Sequence, residues 1–297
     1  MNSTRDPLHG CSAARPFRIA TSLPLFMMLL FAGQNALANI SASERTALLD
    51  LYASTNGSQW INSAGWGGGV GTECAWFGVT CAPDGNSVEQ LSLANNQLSG
   101  PLPSNLQDLS SLTLLFLGNN AITGSIPPLA GMQELRDFAI GSNLLSGPIP
   151  PINALTHLSS FDVGNNQLNG NIPDISGLTA LYLFDLSDNH IGGGIPALSN
   201  LPLLASFNVS DNQLTGHLPS LAGLTNLHSF YVSDNQLGGP APALPSPNAL
   251  TANGSRLCPN LLQPSTSPEW DAATGTTPWY LNCADDTIFR NGFDSNP

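Results

Sequence analysis

The sequence predicts an α/β repeat solenoid, a coil of short parallel strands stacked along one side. An asparagine recurs at a spacing of 24 residues and then at 23 residues five times, from Asn96 to Asn235. Before each asparagine, apolar residues alternate at every second position, which is the pattern of a strand with one buried face. The 297 residues also include 29 glycines and 24 prolines, which favour regularly placed turns over long helices.

The first 38 residues have the composition of a secretory signal peptide and are expected to lie outside the fold. Three arginines precede an apolar run over residues 19–32, and Ala36-Leu37-Ala38 has the small-x-small pattern of a cleavage site. The alternative is a membrane anchor, but the run is shorter than the ~18–20 residues that span a bilayer. We therefore expect a secreted or extracellular protein, at a cell surface or in a periplasm, with no membrane insertion after cleavage.

The charge of the chain limits its classes of partner. There are 20 acidic residues against seven basic ones, all of them arginines, and the net charge is −13. Removal of residues 1–38 leaves 19 acidic and four basic residues, a net charge of −15. Binding of nucleic acid requires clustered Lys and Arg, and so does adsorption to an anionic membrane. The sequence therefore argues against both nucleic acid and an anionic membrane as partners.

Four cysteines remain after removal of the signal, an even number that indicates disulfides in an oxidising compartment. Of the three possible pairings we favour the two local ones, Cys74–Cys81 and Cys258–Cys283. By loop closure they contribute roughly 2.5 and 3.5 kcal/mol. Neither pair has the spacing with nearby histidines that zinc sites show, so no metal is predicted.

An N-terminal segment, residues 39–87, precedes the first repeat and is expected to cap it. Ser41 and Glu44 have the spacing of a capping box, which predicts a helix over about residues 42–53. Three tryptophans follow this helix in the sequence. They either seal the first turn of the coil or form a sugar-binding platform.

The repeats resemble those of a known family. Each follows the pattern LxxLxLxxNxLxGxIP, as in residues 158–173, which is similar to the plant-type leucine-rich repeat. The run CAWFGVTC at residues 74–81 resembles the N-terminal cap of plant leucine-rich-repeat receptors and polygalacturonase-inhibiting proteins. The resemblance covers about residues 41–260. It implies a right-handed superhelix with a parallel concave sheet, short 3₁₀ or irregular convex segments and a helical, disulfide-bonded cap, and it favours tryptophans that seal the first turn.

The repeats divide the rest of the chain. Seven clear repeats of 23–24 residues occupy residues 88–246, and a degenerate eighth occupies residues 247–260 with Leu250 and Ala252 at strand positions. Residues 261–297 form a C-terminal cap and tail. The tail ends in an Ile-Phe-x-x-Gly-Phe-acidic pattern that resembles tails of some exported bacterial proteins, which would make the chain a secreted bacterial member of the family.

One asparagine in each repeat is expected to turn the chain inward. In the family that the sequence resembles, the side-chain amide of this residue bonds to neighbouring backbone, and successive amides stack as a ladder. The predicted ladder consists of Asn96, Asn120, Asn143, Asn166, Asn189, Asn212 and Asn235.

The register of the strands predicts a surface. The residue between the two inward-facing residues of each strand points to the concave side, and neighbouring strands stack about 4.8 Å apart. This concave column reads Ser92, Phe116, Ala139, Asp162, Asp185, Asn208 and Tyr231. A turn column, one residue before each ladder asparagine, reads Asn95, Asn119, Ser142, Asn165, Asp188, Asp211 and Asp234.

The C-terminal half of both columns is acidic. In the turn column, Asp188, Asp211 and Asp234 either reflect turn chemistry alone or belong to a binding surface. Asp162 and Asp185 lie inside strands, where aspartate is disfavoured, so solvation or a basic ligand should compensate their charges. The predicted ligand-binding residues are Phe116, Asp162, Asp185, Asp188, Asn208, Asp211, His228, Tyr231 and Asp234.

No catalytic set is evident in the sequence. The histidines after the signal occupy four different positions of the repeat, and neither a nucleophile elbow nor a phosphate-binding loop occurs. We therefore predict a binding protein without enzymatic activity or cofactor, which recognises an extracellular protein or peptide with a basic patch. The alternatives are a structural or adhesive surface protein and a carbohydrate or cell-wall binder. By resemblance, plant relatives recognise proteins or peptides and some inhibit pectin-degrading enzymes, but no residue assigns that inhibition here.

Overall fold

A computed structural model describes residues 38–281 and residue 283. Residues 1–37, which hold most of the predicted signal peptide, and the tail after Cys283 lie outside the described residues. Within the described part of the chain, no helix is both long enough and apolar enough to cross a bilayer.

Two helices lie at the two ends of this region, α1 (Ala42–Ser54) and α2 (Pro268–Thr274). Between them the chain forms short strands, most of them three to five residues long. In chain order these strands are β1 (Val79–Cys81), β2 (Val88–Ser92), β3 (Ser99–Pro101), β4 (Leu114–Phe116), β5 (Ala121–Gly124), β6 (Asp137–Ala139), β7 (Leu144–Pro148), β8 (Ser160–Asp162), β9 (Gln167–Asn171), β10 (Leu183–Asp185), β11 (His190–Gly192), β12 (Ser206–Asn208), β13 (Ser229–Tyr231), β14 (Gly238–Pro240), β15 (Ser255–Arg256) and β16 (Leu261–Gln263).

The strands form two long sheets along the coil. The larger sheet has the order β1-β2-β4-β6-β8-β10-β12-β13-β15 and is parallel except for the antiparallel pair β1–β2. It is the predicted concave sheet, and the α/β solenoid is confirmed. A second parallel sheet, in the order β11-β9-β7-β5-β3, was not predicted, because its strands fall on the Asn-x-Leu-x-Gly segments that resemble turns. Strands β14 and β16 pair separately.

A stack of phenylalanines runs through the core. The inward-facing residue at the centre of five consecutive strands of the concave sheet is phenylalanine, and neighbouring ring centroids lie 5.2–5.7 Å apart with nearly parallel planes. The stack comprises Phe138, Phe161, Phe184, Phe207 and Phe230. Trp270 of α2 closes it, with its ring 6.3 Å from that of Phe230. The sequence pattern treats these positions only as apolar, so the aromatic stack was not foreseen.

The ladder asparagines tie neighbouring repeats together. The side-chain amide of Asn166 donates to the carbonyl of Val163 at 3.0 Å and to that of Ile140, in the preceding repeat, at 3.3 Å. Its Oδ1 accepts a hydrogen bond from the N–H of Leu145 at 3.0 Å. Each such amide satisfies backbone groups that would otherwise be buried without partners.

The eighth repeat has a different register from the predicted one. The expectation that Leu250 and Ala252 form its strand is wrong, because both residues precede β15, in which Ser255 pairs with Phe230. The proline-rich segment before β15 adds residues and shifts the repeat. Asn260 then takes the ladder position, and its amide donates to backbone carbonyls of its own and the preceding repeat at 2.7 Å.

Helix α1 is fixed to the first repeat by one carboxylate. The side chain of Ser41 accepts the N–H of Glu44, and Glu44 accepts the N–H of Ser41 at 3.0 Å, so the predicted capping box is present. The other oxygen of Glu44 accepts the N–H of Val88 at 2.9 Å, at the start of β2. The helix therefore connects directly to the concave sheet.

The caps are closed by tryptophans and disulfides. Trp60, Trp66 and Trp76 are at most 8% exposed and pack on one another, so they seal the first turn. The alternative that these three rings form a sugar-binding platform is wrong, because their faces are not accessible. The structure joins Cys74 to Cys81 in the N-terminal cap and Cys258 to Cys283 in the C-terminal cap.

Candidate functional site

The concave column is a continuous row of neighbours on the larger sheet. The register pairs Ser92 with Phe116, Phe116 with Ala139, Ala139 with Asp162, Asp162 with Asp185, Asp185 with Asn208, Asn208 with Tyr231, and Tyr231 with Arg256. Arg256 was missed in the sequence because the strand of the eighth repeat was misplaced. Along this row Asp162 and Asp185 lie between Phe116 on one side and Tyr231 with Arg256 on the other.

Asp185 is held by donors from its own chain. Its Oδ1 accepts the N–H of Ser187 at 2.9 Å and the hydroxyl of the same residue at 2.6 Å. Its Oδ2 accepts a hydrogen bond from the amide of Asn208 at 3.1 Å. Three donors of the chain therefore compensate this carboxylate, in addition to the solvation or basic ligand that the sequence led us to expect.

Asp162, one strand earlier, has much less support. Its Oδ1 accepts one hydrogen bond, from the N–H of Gly164 at 3.1 Å. Gly164 occupies the position of Ser187 in the next repeat, so the hydroxyl donor is missing. Burial, and then the nearby charge of Asp185, raise the pKa of Asp162 to about 6, although the Gly164 hydrogen bond lowers it. No ion pair involves Asp162 within the described part of the chain.

Two glycines leave room for these carboxylates. A Cβ atom on Gly141 would lie 2.8 Å from Oδ1 of Asp162, and one on Gly164 would lie 3.1 Å from Oδ1 of Asp185. Each carboxylate therefore folds back over the backbone of the preceding repeat. This position explains why both side chains are half-buried on a face that is open to solvent.

Asp137 is a third carboxylate on the same face. It lies in β6 beside the buried Phe138, two residues before the position of the concave column. Burial raises the pKa of Asp137, and the hydroxyl of Ser159 and the charge of Arg136 oppose that rise. The concave column takes one outward position from each strand, whereas β6 presents two, and Asp137 occupies the second.

The turn column has a common backbone conformation. Each member has a φ angle between 54° and 57°, in the left-handed region, which asparagine and aspartate tolerate better than most residues. The turn explanation therefore accounts for Asp188, Asp211 and Asp234. Burial, followed by neighbouring carboxylates, raises the pKa values of Asp188 and Asp211, and Arg256 opposes the rise at Asp211.

The remaining predicted residues divide between the column and its edge. Phe116 and Tyr231 are half-buried members of the concave column, and burial raises the pKa of Tyr231. His228 lies apart from them: it is exposed before β13, and its Nδ1 is 2.5 Å from the carbonyl oxygen of Asn226. Among residues 38–281 and 283, no three His, Cys, Asp or Glu side chains are arranged to hold a metal ion.

Comparison with known proteins identifies the repeat. A family model described as Leucine Rich Repeat matches residues 87–109. The receptor protein kinase WSS1 of Oryza sativa subsp. japonica is 41% identical over 116 residues, which are 38% of this chain and 12% of that protein. The chain therefore spans only a small part of the length of this curated relative.

Two solved structures have a similar fold. The leucine-rich-repeat ectodomain of the receptor kinase GASSHO1/SCHENGEN3 from Arabidopsis thaliana, in complex with Casparian strip integrity factor 2, is 25% identical with a TM-score of 0.60; the match covers 74% of this chain and 30% of that one. The plant peptide hormone receptor RGFR1, in complex with RGF2, is 30% identical with a TM-score of 0.53; the match covers 64% of this chain and 35% of that one.

Proposed function

We propose that this leucine-rich-repeat protein, whose repeats are similar to those of plant receptor ectodomains, binds an extracellular protein or peptide through its concave face. A structural neighbour is a peptide hormone receptor solved as a complex, which supports a peptide as the class of partner. The basic, apolar and small-residue segments of the first 38 residues support export. The chain acts by binding rather than by catalysis.

The observation that carries this proposal is the poorly compensated carboxylate of Asp162. Its raised pKa means that the ionised carboxylate disfavours the folded state, and a neutral residue at this position would fold more readily. A carboxylate with a strongly perturbed pKa on a solvent-facing surface is a candidate functional residue. A cationic side chain from a partner would supply the donor that Gly164 does not.

The partner presents a basic patch to this face. Six carboxylates lie in the concave and turn columns or beside them, namely Asp137, Asp162, Asp185, Asp188, Asp211 and Asp234. Of the described arginines, Arg45 pairs with Glu73 in the cap, Arg136 is exposed next to Asp137, and Arg256 lies at the end of the concave column. Charge complementarity of this kind mainly accelerates association, and salt weakens it.

Two aromatic residues provide anchors on either side of the acids. Phe116 lies two strands before Asp162, and Tyr231 lies two strands after Asp185. Half-buried aromatic side chains are the residue type enriched at binding hot spots. The proposed contact surface is thus the concave column from Phe116 to Tyr231, with the three aspartates of the turn column at its rim.

The test is a selection of peptides from a displayed random library on the immobilised full chain, at low salt and pH 7. Selected peptides are then measured against the Asp162→Asn/Asp185→Asn variant. The matched control is Asp84→Asn/Asp174→Asn, which removes the same charge. Both control residues are exposed and away from the concave column, and each accepts a backbone hydrogen bond from the residue two positions later, as Asp162 does.

We expect the selected peptides to contain Arg or Lys. The concave variant should weaken their binding about tenfold, corresponding to the loss of one charged hydrogen bond, and the control should not. Association with the parent should slow as salt is added. Selected peptides without basic residues, or equal binding to both double variants, would exclude Asp162 and Asp185 as the site.

A further inference from the structure

The first repeat departs from the others at one backbone position. Gln97, directly after the first ladder asparagine, has a φ angle of +60°. Within the described part of the chain, every other non-glycine residue with positive φ is Asn, Asp or Ser. The equivalent residues of the next six repeats do not adopt this conformation. Glutamine is disfavoured there by about 1–2 kcal/mol, and such outliers concentrate at functional sites.

This conformation changes the hydrogen bonds between the first two repeats. In the next five repeats, the N–H of each ladder asparagine donates to the carbonyl of the turn-column residue in the following repeat. In the first repeat, the N–H of Asn96 donates instead to the side-chain Oδ1 of Asn120, at 2.9 Å. The carbonyl of Asn119 therefore receives no hydrogen bond from the first repeat, within the described residues, and is free to accept one from a ligand.

Beside this carbonyl lies a cleft of about 570 Å³, between the N-terminal cap and the first two repeats. Its volume is within the range of small-ligand sites. Its walls carry only uncharged side chains, chiefly Gln59, Asn95, Gln97, Ser99 and Asn119, and small Ala121 leaves space between them.

Four amide side chains in this cleft are available to a ligand. Those of Gln59, Asn95, Gln97 and Asn119 are exposed, and within the described part of the chain they make no hydrogen bond to another protein group. The wall itself is fixed, because the amide of Asn56 donates to the carbonyl of Ser99 at 3.0 Å and to its hydroxyl at 2.9 Å. The free amides are therefore mounted on an ordered junction rather than on a loose loop.

We propose that this cleft binds a neutral saccharide, with the amides of Gln97 and Asn119 as its principal hydrogen-bonding groups. A side-chain amide both donates and accepts, as a sugar hydroxyl does, so several hydroxyls can be matched at once. No charged side chain lines the cleft, so a charged ligand would gain no ion pair here. The methylene groups of glutamine offer apolar surface to the C–H face of a sugar ring. The cleft lies at the cap and adjoins the end of the proposed concave surface at Phe116, two strands from Asp162. The proposal does not rest on the concave partner.

The test is titration of the full chain with neutral hexasaccharides, namely cellohexaose, xylohexaose and mannohexaose, followed by calorimetry and by the NMR signals of the side-chain amides. Hexagalacturonate serves as the anionic comparison. The variants are Gln97→Gly and Asn119→Gly, because glycine tolerates the positive φ while the side chain that carries the amide is removed. The matched control is Gln213→Ala, an exposed glutamine at the equivalent position of the sixth repeat.

We expect at least one neutral hexasaccharide to bind and to shift the amide signals of Gln97 and Asn119. Each glycine variant should weaken that binding about tenfold, while Gln213→Ala leaves it unchanged and hexagalacturonate binds more weakly. The proposal is overturned if no neutral hexasaccharide binds at millimolar concentration, or if both glycine variants bind as tightly as the parent.

Discussion

Strands β8 and β10 are neighbours of equal length, and each ends in an aspartate that follows a buried phenylalanine. Inside the coil the two repeats are alike: the rings of Phe161 and Phe184 stack 5.7 Å apart. On the concave side they differ, because Asp185 accepts three hydrogen bonds and Asp162 accepts one. The repeat pattern thus determines the interior of each turn and leaves the outer side chain free to acquire its own chemistry.

If the interiors of the two repeats are equivalent, the ladder asparagine should contribute equally to stability in both. Asn166→Ala and Asn189→Ala should each lower the free energy of unfolding by about 2–4 kcal/mol, because buried backbone groups lose their partners. Urea denaturation of both variants measures this. The control is Asn165→Gly, which keeps the left-handed backbone of the turn and should cost less than about 0.5 kcal/mol. A clearly smaller loss at one ladder position would show that the interiors differ.

The aspartates should respond in opposite directions to the same substitution. At pH 7, Asp162→Asn should raise the free energy of unfolding by roughly 2 kcal/mol, because it removes a half-buried charge whose pKa is raised to about 6. Asp185→Asn should lower it by about 1 kcal/mol, because three donors lose a charged acceptor. Thermal unfolding of both variants under one buffer condition tests this pair. Stabilisation by both substitutions would mean that the hydrogen bonds of Asp185 do not matter.

The hydroxyl that Gly164 lacks and Ser187 has should explain why Asp162 and Asp185 respond differently. Gly164→Ser gives Asp162 the donor that Ser187 gives Asp185, so it should lower the pKa of Asp162. Any residue with a Cβ atom here crowds Oδ1 of Asp185, so the gain of about 1 kcal/mol at pH 7 is expected relative to Gly164→Ala. Gly164→Ala, which adds the same Cβ atom without a hydroxyl, is the control. Carboxyl NMR of Asp162 reports the pKa. An unchanged pKa in Gly164→Ser would locate the cause of the shift elsewhere.

The pH dependence of stability follows from the same group. The pKa of Asp162 is higher in the folded chain than its ordinary value of 3.8, so the unfolded chain releases this proton first as the pH rises. Stability should therefore fall between about pH 4 and pH 6 and then level off. Urea titrations at four pH values measure the slope, which should be smaller in Gly164→Ser. Equal slopes in the two proteins would contradict the assignment to Asp162.

The features set by a fixed spacing of residues were predictable from the sequence, and those that depend on what one side chain contacts were not. The ladder, the concave column and the capping box each rest on spacing, so single residues such as Ser41 and Asn166 could be assigned in advance. The effect of Gly164 on Asp162 could not be predicted, although the glycine itself is visible in the sequence. Its effect arises from a hydrogen bond that Ser187 donates in the next repeat and that glycine cannot donate.

Two other features depend on backbone geometry. The conformation of Gln97 has no composition signal, since glutamine also occupies the same position in other repeats without it. The position of Arg256 depends on the length of the proline-rich segment before β15, where the period of the repeats is lost. In neither case does the repeat pattern specify the backbone.

The constant register between strands has a consequence for how such a protein changes over generations. Because one period separates equivalent positions, a recombination event that removes residues 163–185 would join Asp162 directly to Leu186 and keep the stacking of the coil intact. Asp162 would then precede Ser187 and lie beside Asn208, and so inherit the neighbours that Asp185 has now. A single unequal crossover could therefore convert one kind of acidic side chain into the other, with no point mutation in the interior.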